Sequence, residues 1–423
     1  MNGSAALLLI CAALGADAVE ESSNRFLLTD APPALESRSG ATYYVAEANT
    51  KAGATSAPSL DTQNANPNKR ATGGNPYARL ARVPNMFGDE FPRNGQLAVG
   101  TPGSFFGDPN NPKSKFIGKV SDRTDLITPL PSAGGGRYLP IGENNRPIPT
   151  DRVYFMFNGF NNAVTSQTTD GQLVDTNIQR YTFGFEKTFF DGWNSIEVRM
   201  PLMSSFTLTQ DDFQASSGNW GNVSFVFKQL LVREENLAIA VGSGLAVPTG
   251  SDFAGNFGPR SFRLDNQAVY LSPYIGVAYS LEKAFITSYA QLDIAANGDP
   301  FIVSDTSLGK LNSPTFARFD LATGYWILRN TDRPYVSGVA LVAECHYVTT
   351  LNDTDRISGG TPDFAFYRIN FSSNRFDFLN VTTGVHWQIT DLSNLRIGGV
   401  FPIRTGDDRQ FDSEVQVSFN RMF

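Results

Sequence analysis

The chain has 423 residues with a formal net charge of −7, and 41% of its residues are hydrophobic. This acidic balance argues against a nucleic-acid-binding function, which requires a basic surface. Beyond the first residues, no apolar run approaches the roughly 20 residues of a transmembrane helix, so a membrane protein with this sequence must span with strands.

The N-terminus predicts a secretory signal peptide at residues 1–18. Ala5 to Leu14 form an apolar run that is too short to span a bilayer, and Ala16-Asp17-Ala18 offers a small-x-small cleavage site. The positive residues typical of the start of a signal peptide are missing. A mature chain from Val19 retains a single cysteine, Cys345, so we expect no intramolecular disulfide.

Residues 19–150 show little periodicity and predict a largely irregular segment. Residues 50–75 are rich in Ala, Asn, Thr, Gly and Pro and are typical of a linker. Residues 141–149 contain two prolines and should be extended. Two hypotheses remain open: part of residues 77–150 enters the barrel described next as a plug, or the segment is a periplasmic tail.

From residue 151 onward, alternating apolar and polar residues recur at regular intervals. They predict twelve strands in a barrel over residues 151–423: 152–160, 179–190, 195–207, 222–232, 237–247, 267–280, 284–294, 315–328, 335–347, 376–389, 394–402 and 411–423.

The connections between these strands alternate strictly between short and long. Outer-membrane barrels show this pattern, with short periplasmic turns and longer outer loops. An even number of strands then places both ends of the barrel in the periplasm. The sequence therefore predicts an all-β fold, a transmembrane antiparallel up-and-down β-barrel of about twelve strands, in a bacterial outer membrane.

The last predicted strand alternates up to a terminal aromatic residue. One face carries Val415, Val417, Phe419 and Phe423, and the other is polar. This ending resembles the closing strand of bacterial outer-membrane barrels, which removes the exposed sheet edge. Aromatic residues also gather beside the short turns and predict an interfacial girdle: Phe189, Phe190, Trp193, Tyr279, Phe285, Tyr325, Trp326 and Trp387.

Strand alternation predicts the side chains that face the lumen. The candidates are Arg180, Glu186, Glu197, Arg199, Lys228, Asp293, Arg318, Asp320, Glu344, His346, Arg396 and Glu414. These residues either line a wet passage that selects solutes, or pair with one another and fill the barrel. The fifth strand presents small residues such as Gly242 and Gly244 inward, which could leave room for a plug or ligand, or relieve crowding at a curved wall.

Enzyme motifs are missing from the sequence. There is no GxSxG, HExxH or P-loop pattern, and neither His346 nor His386 is followed by the x-Ser that some barrel phospholipases carry. We therefore expect no enzymatic activity, no cofactor and no metal site. Both histidines are expected to be polar groups of the lumen.

The layout of an N-terminal segment followed by a barrel that ends in Phe resembles FadL-like and aromatic-degradation-pathway transporters, which implies uptake of hydrophobic compounds. The predicted strand number differs, twelve rather than fourteen. Residues 141–160 (IGENNRPIPTDRVYFMFNGF) are also similar to outer-membrane proteins of planctomycete-like bacteria.

The predicted function is passage of small molecules through a polar lumen, with gating by the N-terminal segment. The alternative is a structural or surface-binding barrel with a closed lumen. Expected partners are outer-membrane lipid and lipopolysaccharide, the barrel-assembly machinery and a small-molecule solute, without nucleic acid. The sequence predicts no particular oligomeric state.

Overall fold

The structure is a computed structural model that describes residues 80, 83–89, 93–100, 126–131, 138–167, 173–204, 206–210, 213–257, 260–330, 335–359, 366–370 and 374–423. The predicted signal peptide and the predicted linker lie outside these residues. Within the described part of the chain, no helix is long and apolar enough to cross a membrane.

Twelve long strands form a closed antiparallel barrel, in which each strand pairs with the barrel strands before and after it along the chain and the last strand pairs with the first. They are β3 (Arg152–Gln167), β4 (Leu173–Phe189), β5 (Asn194–Met203), β8 (Ser224–Arg233), β9 (Leu237–Ala246), β12 (Tyr270–Ser280), β13 (Ala284–Ala295), β16 (Phe316–Arg329), β17 (Gly338–Thr350), β20 (Asp377–Thr390), β21 (Ser393–Pro402) and β22 (Ser413–Met422).

The twelve predicted strands are confirmed, as is the all-β barrel class. The register is continuous around the closure, where Val417 of β22 lies opposite Phe157 of β3. Along β8, buried and exposed residues alternate one by one, which is the signature of a wall with one face inward and one outward.

The long connections contain strands where the sequence predicts loops, except that residues 206–207 belong to the predicted barrel strand 195–207. They are β6 (Phe206–Gln210), β7 (Phe213–Ser217), β10 (Phe253–Phe257), β11 (Arg260–Leu264), β14 (Asp299–Val303), β15 (Thr306–Leu311), β18 (Arg356–Gly359) and β19 (Phe366–Asn370). Six of them form one sheet in the order β15-β14-β11-β10-β7-β6. Most contain only five residues, too few for alternation to be recognised against the polar residues around them.

The N-terminal segment also contains two strands, β1 (Arg93–Gly100) and β2 (Leu126–Pro131). β1 pairs with β2 on one side and with β19 on the other, and β2 contacts β3 at the pair Ile127 and Gln167. Both strands therefore lie at the long-loop end of the barrel. The other described residues of the N-terminal segment belong to no strand, in line with the expectation of a largely irregular segment.

The outward face of the barrel is apolar. Large exposed side chains on the strands include Phe183, Ile196, Phe225, Ile275, Phe319, Leu341 and Phe419. A closed antiparallel barrel with an apolar exterior satisfies its backbone internally and presents hydrocarbon to lipid. The girdle prediction was partly wrong, because Phe285 and Trp326 are buried and pack inside the barrel, whereas Trp193, Tyr279 and Tyr325 are exposed.

Candidate functional site: the barrel lumen and its luminal segment

Two stretches of the N-terminal segment lie inside the barrel, and we call them together the luminal segment (residues 83–89 and 138–150). They run beside each other, with the Met86 amide donating to the Asn145 carbonyl oxygen at 2.8 Å and the Asn144 amide donating to that of Phe87 at 3.4 Å. Gly88 adopts a φ of +75°, and a Cβ there would lie 2.6 Å from the Cα of Glu143. Only glycine suits both demands, so the two stretches can approach closely here.

The two stretches run in opposite directions through the lumen. Leu80, just before the first, packs with Phe285 and Ala340, which begin their strands at the short-turn end. β1 and β2 then lie at the long-loop end, and the chain returns through residues 138–150 to the start of β3. Among the described residues, the chain therefore crosses the lumen twice.

Phe87 is the main apolar contact between the luminal segment and the wall. Its ring lies over Gly384 and Gly398, which are directly opposite each other on β20 and β21. A Cβ at these positions would come within 2.5 Å and 2.9 Å of the ring atoms. The guanidinium of Arg396 lies 4.0 Å from the ring centroid on the same strand as Gly398. A pair of glycines and one arginine thus form a flat seat for this ring.

The backbone beside Phe87 is held by charge-assisted hydrogen bonds. The amide of Phe87 lies 2.7 and 2.9 Å from the two carboxylate oxygens of Glu344, and that of Gly88 lies 3.0 Å from one of them. The side chain of Gln416 donates to the Gly88 carbonyl oxygen at 2.9 Å. Hydrogen bonds to a charged acceptor are stronger than neutral ones, so Glu344 anchors this turn of the segment.

The returning stretch packs against a third glycine of the wall. A Cβ at Gly244 on β9 would lie 2.5 Å from Leu139 and 3.1 Å from Ile141. The Gln291 side chain fixes the same region, accepting from the Ile141 amide at 2.8 Å and donating to the Leu139 carbonyl oxygen at 2.7 Å. The small residues on this strand were expected either to leave room for a plug or to relieve crowding at a curved wall. Gly244 fits the first of these interpretations.

Ion pairs within the wall form a network near the short-turn end. Glu186 accepts from Arg152 at 2.7 Å and from Lys228 at 3.0 Å, and Glu197 accepts from Arg199 at 2.9 Å. Arg152 also reaches Glu197 at 3.5 Å. These five side chains are almost fully buried, and mutual pairing is what makes buried charges tolerable.

The same cations reach out to the luminal segment. The Nζ of Lys228 donates to Asn145 Oδ1 at 2.8 Å and to the Arg146 carbonyl oxygen at 2.9 Å. Arg152 donates to the carbonyl oxygen of Asn144 at 2.6 Å, and Arg199 to that of Pro140 at 3.0 Å. The wall therefore presents donors to backbone acceptors of the segment.

Two further charged contacts lie nearer the long-loop end. Arg180 pairs with Glu143 of the luminal segment, and Asn158 donates to Glu143 at 3.2 Å and to Glu414 at 2.7 Å. Arg318 pairs with Asp293 within the wall. The guanidinium of Arg318 lies 5.8 Å from the ring centroid of Tyr138. That ring packs edge-on against Tyr270 and Phe316, with centroid distances of 5.2 and 5.0 Å.

All twelve lumen-facing candidates lie on the inner face and expose no more than 6% of their surface. Sequence reasoning missed Arg152 and Asn158, although the same alternation on β3 indicated them. It also missed Glu143, Asn144 and Asp89, because the luminal segment carries no periodic signal. The closing-strand residues Val415 and Phe419 face outward, and Phe423 stacks on Phe185 with ring centroids 6.0 Å apart.

Fold and surface define this chain as a transmembrane β-barrel of the outer membrane, with a polar interior and an internal segment. No protein family model and no curated protein matches the chain. Among solved structures it is similar to the NanC porin, with 9% identity over 64% of this chain and 98% of that chain and a TM-score of 0.36.

It is also similar to the COG4313 outer membrane channel from Pseudomonas putida F1, with 10% identity over 65% of this chain and 96% of that one and a TM-score of 0.41. A third similar structure is a FadL homologue from Pseudomonas aeruginosa, with 9% identity over 69% and 96% of the two chains and a TM-score of 0.35. The closed barrel of this chain itself confirms the expected resemblance to outer-membrane β-barrels at the level of the fold.

Proposed function

We propose that this protein is an outer-membrane channel or transporter for small solutes, closed in the present state by its luminal segment. The observation that carries the proposal is that a piece of chain outside the twelve strands occupies a lumen whose wall is polar. A twelve-stranded barrel is wider than one that its own side chains can fill, so displacing the segment would leave a passage.

The pairing of the wall charges supports a removable segment. Glu186 with Arg152 and Lys228, Glu197 with Arg199, and Asp293 with Arg318 are all pairs between wall residues. These pairs persist when the luminal segment leaves, and water can replace the hydrogen bonds that the segment makes. A wall of this kind is wettable, and its charges would select among solutes.

The orientation follows from the loop lengths. We place the short-turn end in the periplasm, so that the N-terminal segment enters the lumen from there and the six-stranded sheet lies on the outer side. The apolar exterior contacts lipid, with lipopolysaccharide around the long-loop end, and the barrel-assembly machinery inserts the chain.

A second candidate function is a structural or surface-binding barrel whose lumen stays closed. The pairing of β1 with β19 favours it, because the luminal segment is then held by the sheet beyond the lumen as well as by the wall. Such a segment would be a permanent part of the molecule.

Solute flux into liposomes separates the two functions. Phe87→Ala removes the ring from its glycine seat, and Phe225→Ala removes a ring of the same size from the lipid-facing side, where Phe225 is exposed. The channel proposal predicts severalfold faster swelling in a small sugar for Phe87→Ala and no change for Phe225→Ala. If the parent and both variants are equally impermeable, while hydrogen exchange shows that the segment is released in Phe87→Ala, the result would favour the closed barrel.

A further inference from the structure

A buried cluster of three side chains joins the luminal segment to the barrel wall. Asp89 belongs to the segment, Asp320 to β16 and His346 to β17. One ligand atom from each lies within 4.8 Å of the others, and all three side chains are buried. Asp89 is more than 200 positions from Asp320 and His346 in the sequence, and the fold brings its carboxylate to the carboxylate and imidazole of the wall.

The ring of His346 is oriented as in metal-binding histidines. Its Nδ1 lies 2.8 Å from Asp320 Oδ1 and 3.6 Å from Asp89 Oδ1. Neighbouring ligands about 2.0–2.2 Å from a common ion lie roughly 3–3.5 Å apart. The first spacing, a hydrogen bond here, lies just below this range and the second just above it, so a small adjustment would admit a shared cation. The ring has no exposed surface, and its Nε2 has no hydrogen bond of regular geometry but lies 3.2 Å from Glu344 Oε2.

A cation on Nδ1 would explain the environment of Nε2. The ring proton would then be on Nε2, which lies 3.2 Å from Glu344, and the Glu344 carboxylate is fixed by the amides of Phe87 and Gly88. A carboxylate that holds the second ring nitrogen is the usual outer-shell partner of a metal-binding histidine.

The charge of the cluster suits a cation. Asp89, Asp320 and Glu344 place three carboxylates around one imidazole in a buried region. Arg396 interacts electrostatically with Glu344, stacks on Phe87 and donates to Asn144 at 3.0 Å, and Arg318 pairs with Asp293. Asn380 donates to Asp89. A divalent ion between Asp89 and Asp320 would place positive charge beside both buried carboxylates, which is what makes such charges tolerable.

We propose that Asp89, Asp320 and His346 bind a divalent transition-metal ion of the Zn²⁺ or Mn²⁺ type, with Glu344 orienting the histidine. One imidazole and two carboxylates suit this class better than Ca²⁺ or Mg²⁺, which take oxygen ligands alone. Because Asp89 is part of the luminal segment, the ion would tie the segment to the wall. This consequence for closure rests on the proposed function, whereas the binding of the ion does not.

The test is Zn²⁺ binding to the untagged, folded full chain in detergent after chelator treatment, measured by titration calorimetry and by X-ray absorption at the zinc edge. The proposal predicts one Zn²⁺ per chain with one imidazole among nitrogen and oxygen ligands. His346→Gln and Asp89→Asn should each weaken binding at least about 100-fold. His386→Gln, at the other buried histidine of the chain, is the matched control and should bind as the parent does.

The folded state of each variant is checked by its heat-shifted electrophoretic mobility, and Asp89→Asn leaves every strand of the barrel unaltered. Absence of zinc binding at micromolar concentration in the parent chain would overturn the proposal in favour of a protonated histidine held by carboxylates. Zinc bound with unchanged affinity in both His346→Gln and Asp89→Asn would overturn it as well. Neither result would bear on solute passage, which liposome flux measures independently.

Discussion

The seat of Phe87 offers a sharp perturbation, because two adjacent glycines on β21 face opposite sides of the wall. Gly398 faces inward, and a Cβ there would lie 2.9 Å from the Phe87 ring. Gly399 faces outward, and a Cβ there would meet the Phe401 side chain at 3.2 Å. Gly398→Val should therefore expel the ring, while Gly399→Val adds the same side chain on the lipid side.

The size of the effect follows from what the ring loses. Phe87 exposes 3% of its surface, and burial of such a side chain contributes about 1.5–3 kcal/mol. The stacked Arg396 adds about 0.5–2 kcal/mol. A loss of about 3 kcal/mol corresponds to a roughly 100-fold larger displaced fraction of the luminal segment, at about 1.4 kcal/mol per tenfold.

Hydrogen exchange of the Phe87 and Gly88 amides reads this fraction directly, because both donate to Glu344 only in the seated state. We expect their exchange to be about 100-fold faster in Gly398→Val and unchanged in Gly399→Val. Unchanged exchange in Gly398→Val, with the barrel folded, would refute the role assigned to the glycine seat.

Three further predictions concern the wall and the exterior. Glu186→Gln removes the carboxylate that Arg152 and Lys228 share, so it should lower the free energy of unfolding by about 3–5 kcal/mol in a urea titration. Glu282→Gln, in an exposed turn, should have little effect. Equal urea midpoints for the two variants would contradict the network. Replacement of Arg199 and Arg318 by Ala in the Gly398→Val background should shift the reversal potential towards cation selectivity. The reason is that Glu197 and Asp293 lose their counter-charges. An unchanged potential in an open pore would exclude a lining role for the two arginines. Ile275→Arg on the outward face should weaken folding into bilayers by about 2–4 kcal/mol. The control is Asn256→Arg, in the six-stranded sheet of the long connections. Equal folding of the two variants would argue against lipid contact.

The strands of the barrel could be predicted because each one separates lipid from a polar interior, so its sequence alternates along its whole length. Strand alternation alone also identified the inward charges, for example Glu186 and Arg318. It could not supply their partners. Lys228 and Glu186 interact because β5 brings β4 and β8 together, and such pairings depend on the register of the closed barrel.

The luminal segment could not be predicted in detail, because its residues belong to no sheet and no helix. Its backbone groups are satisfied by the wall side chains Glu344, Gln291 and Lys228. Such contacts leave no period in the sequence. Asp89 is a clear example, since its proximity to His346 arises only when residues 83–89 enter the lumen.

The strands of the long loops escaped prediction for a different reason. β6, β7, β10, β11 and β14 each contain five residues, and their pairing with one another stabilises them more than their own sequences do. Local pattern is therefore informative in the membrane-spanning part of this chain and weak beyond it.

Planar-bilayer conductance of the full chain beside a chain that begins at Asp151 tests the central claim most directly. Both proteins are first shown to be folded by heat-shifted mobility. The account predicts rare or no conductance steps from the full chain and steady, ohmic steps from the shortened one, because removal of the luminal segment opens a wet lumen. Silence from the shortened, folded barrel would contradict the claim that the segment closes a passage.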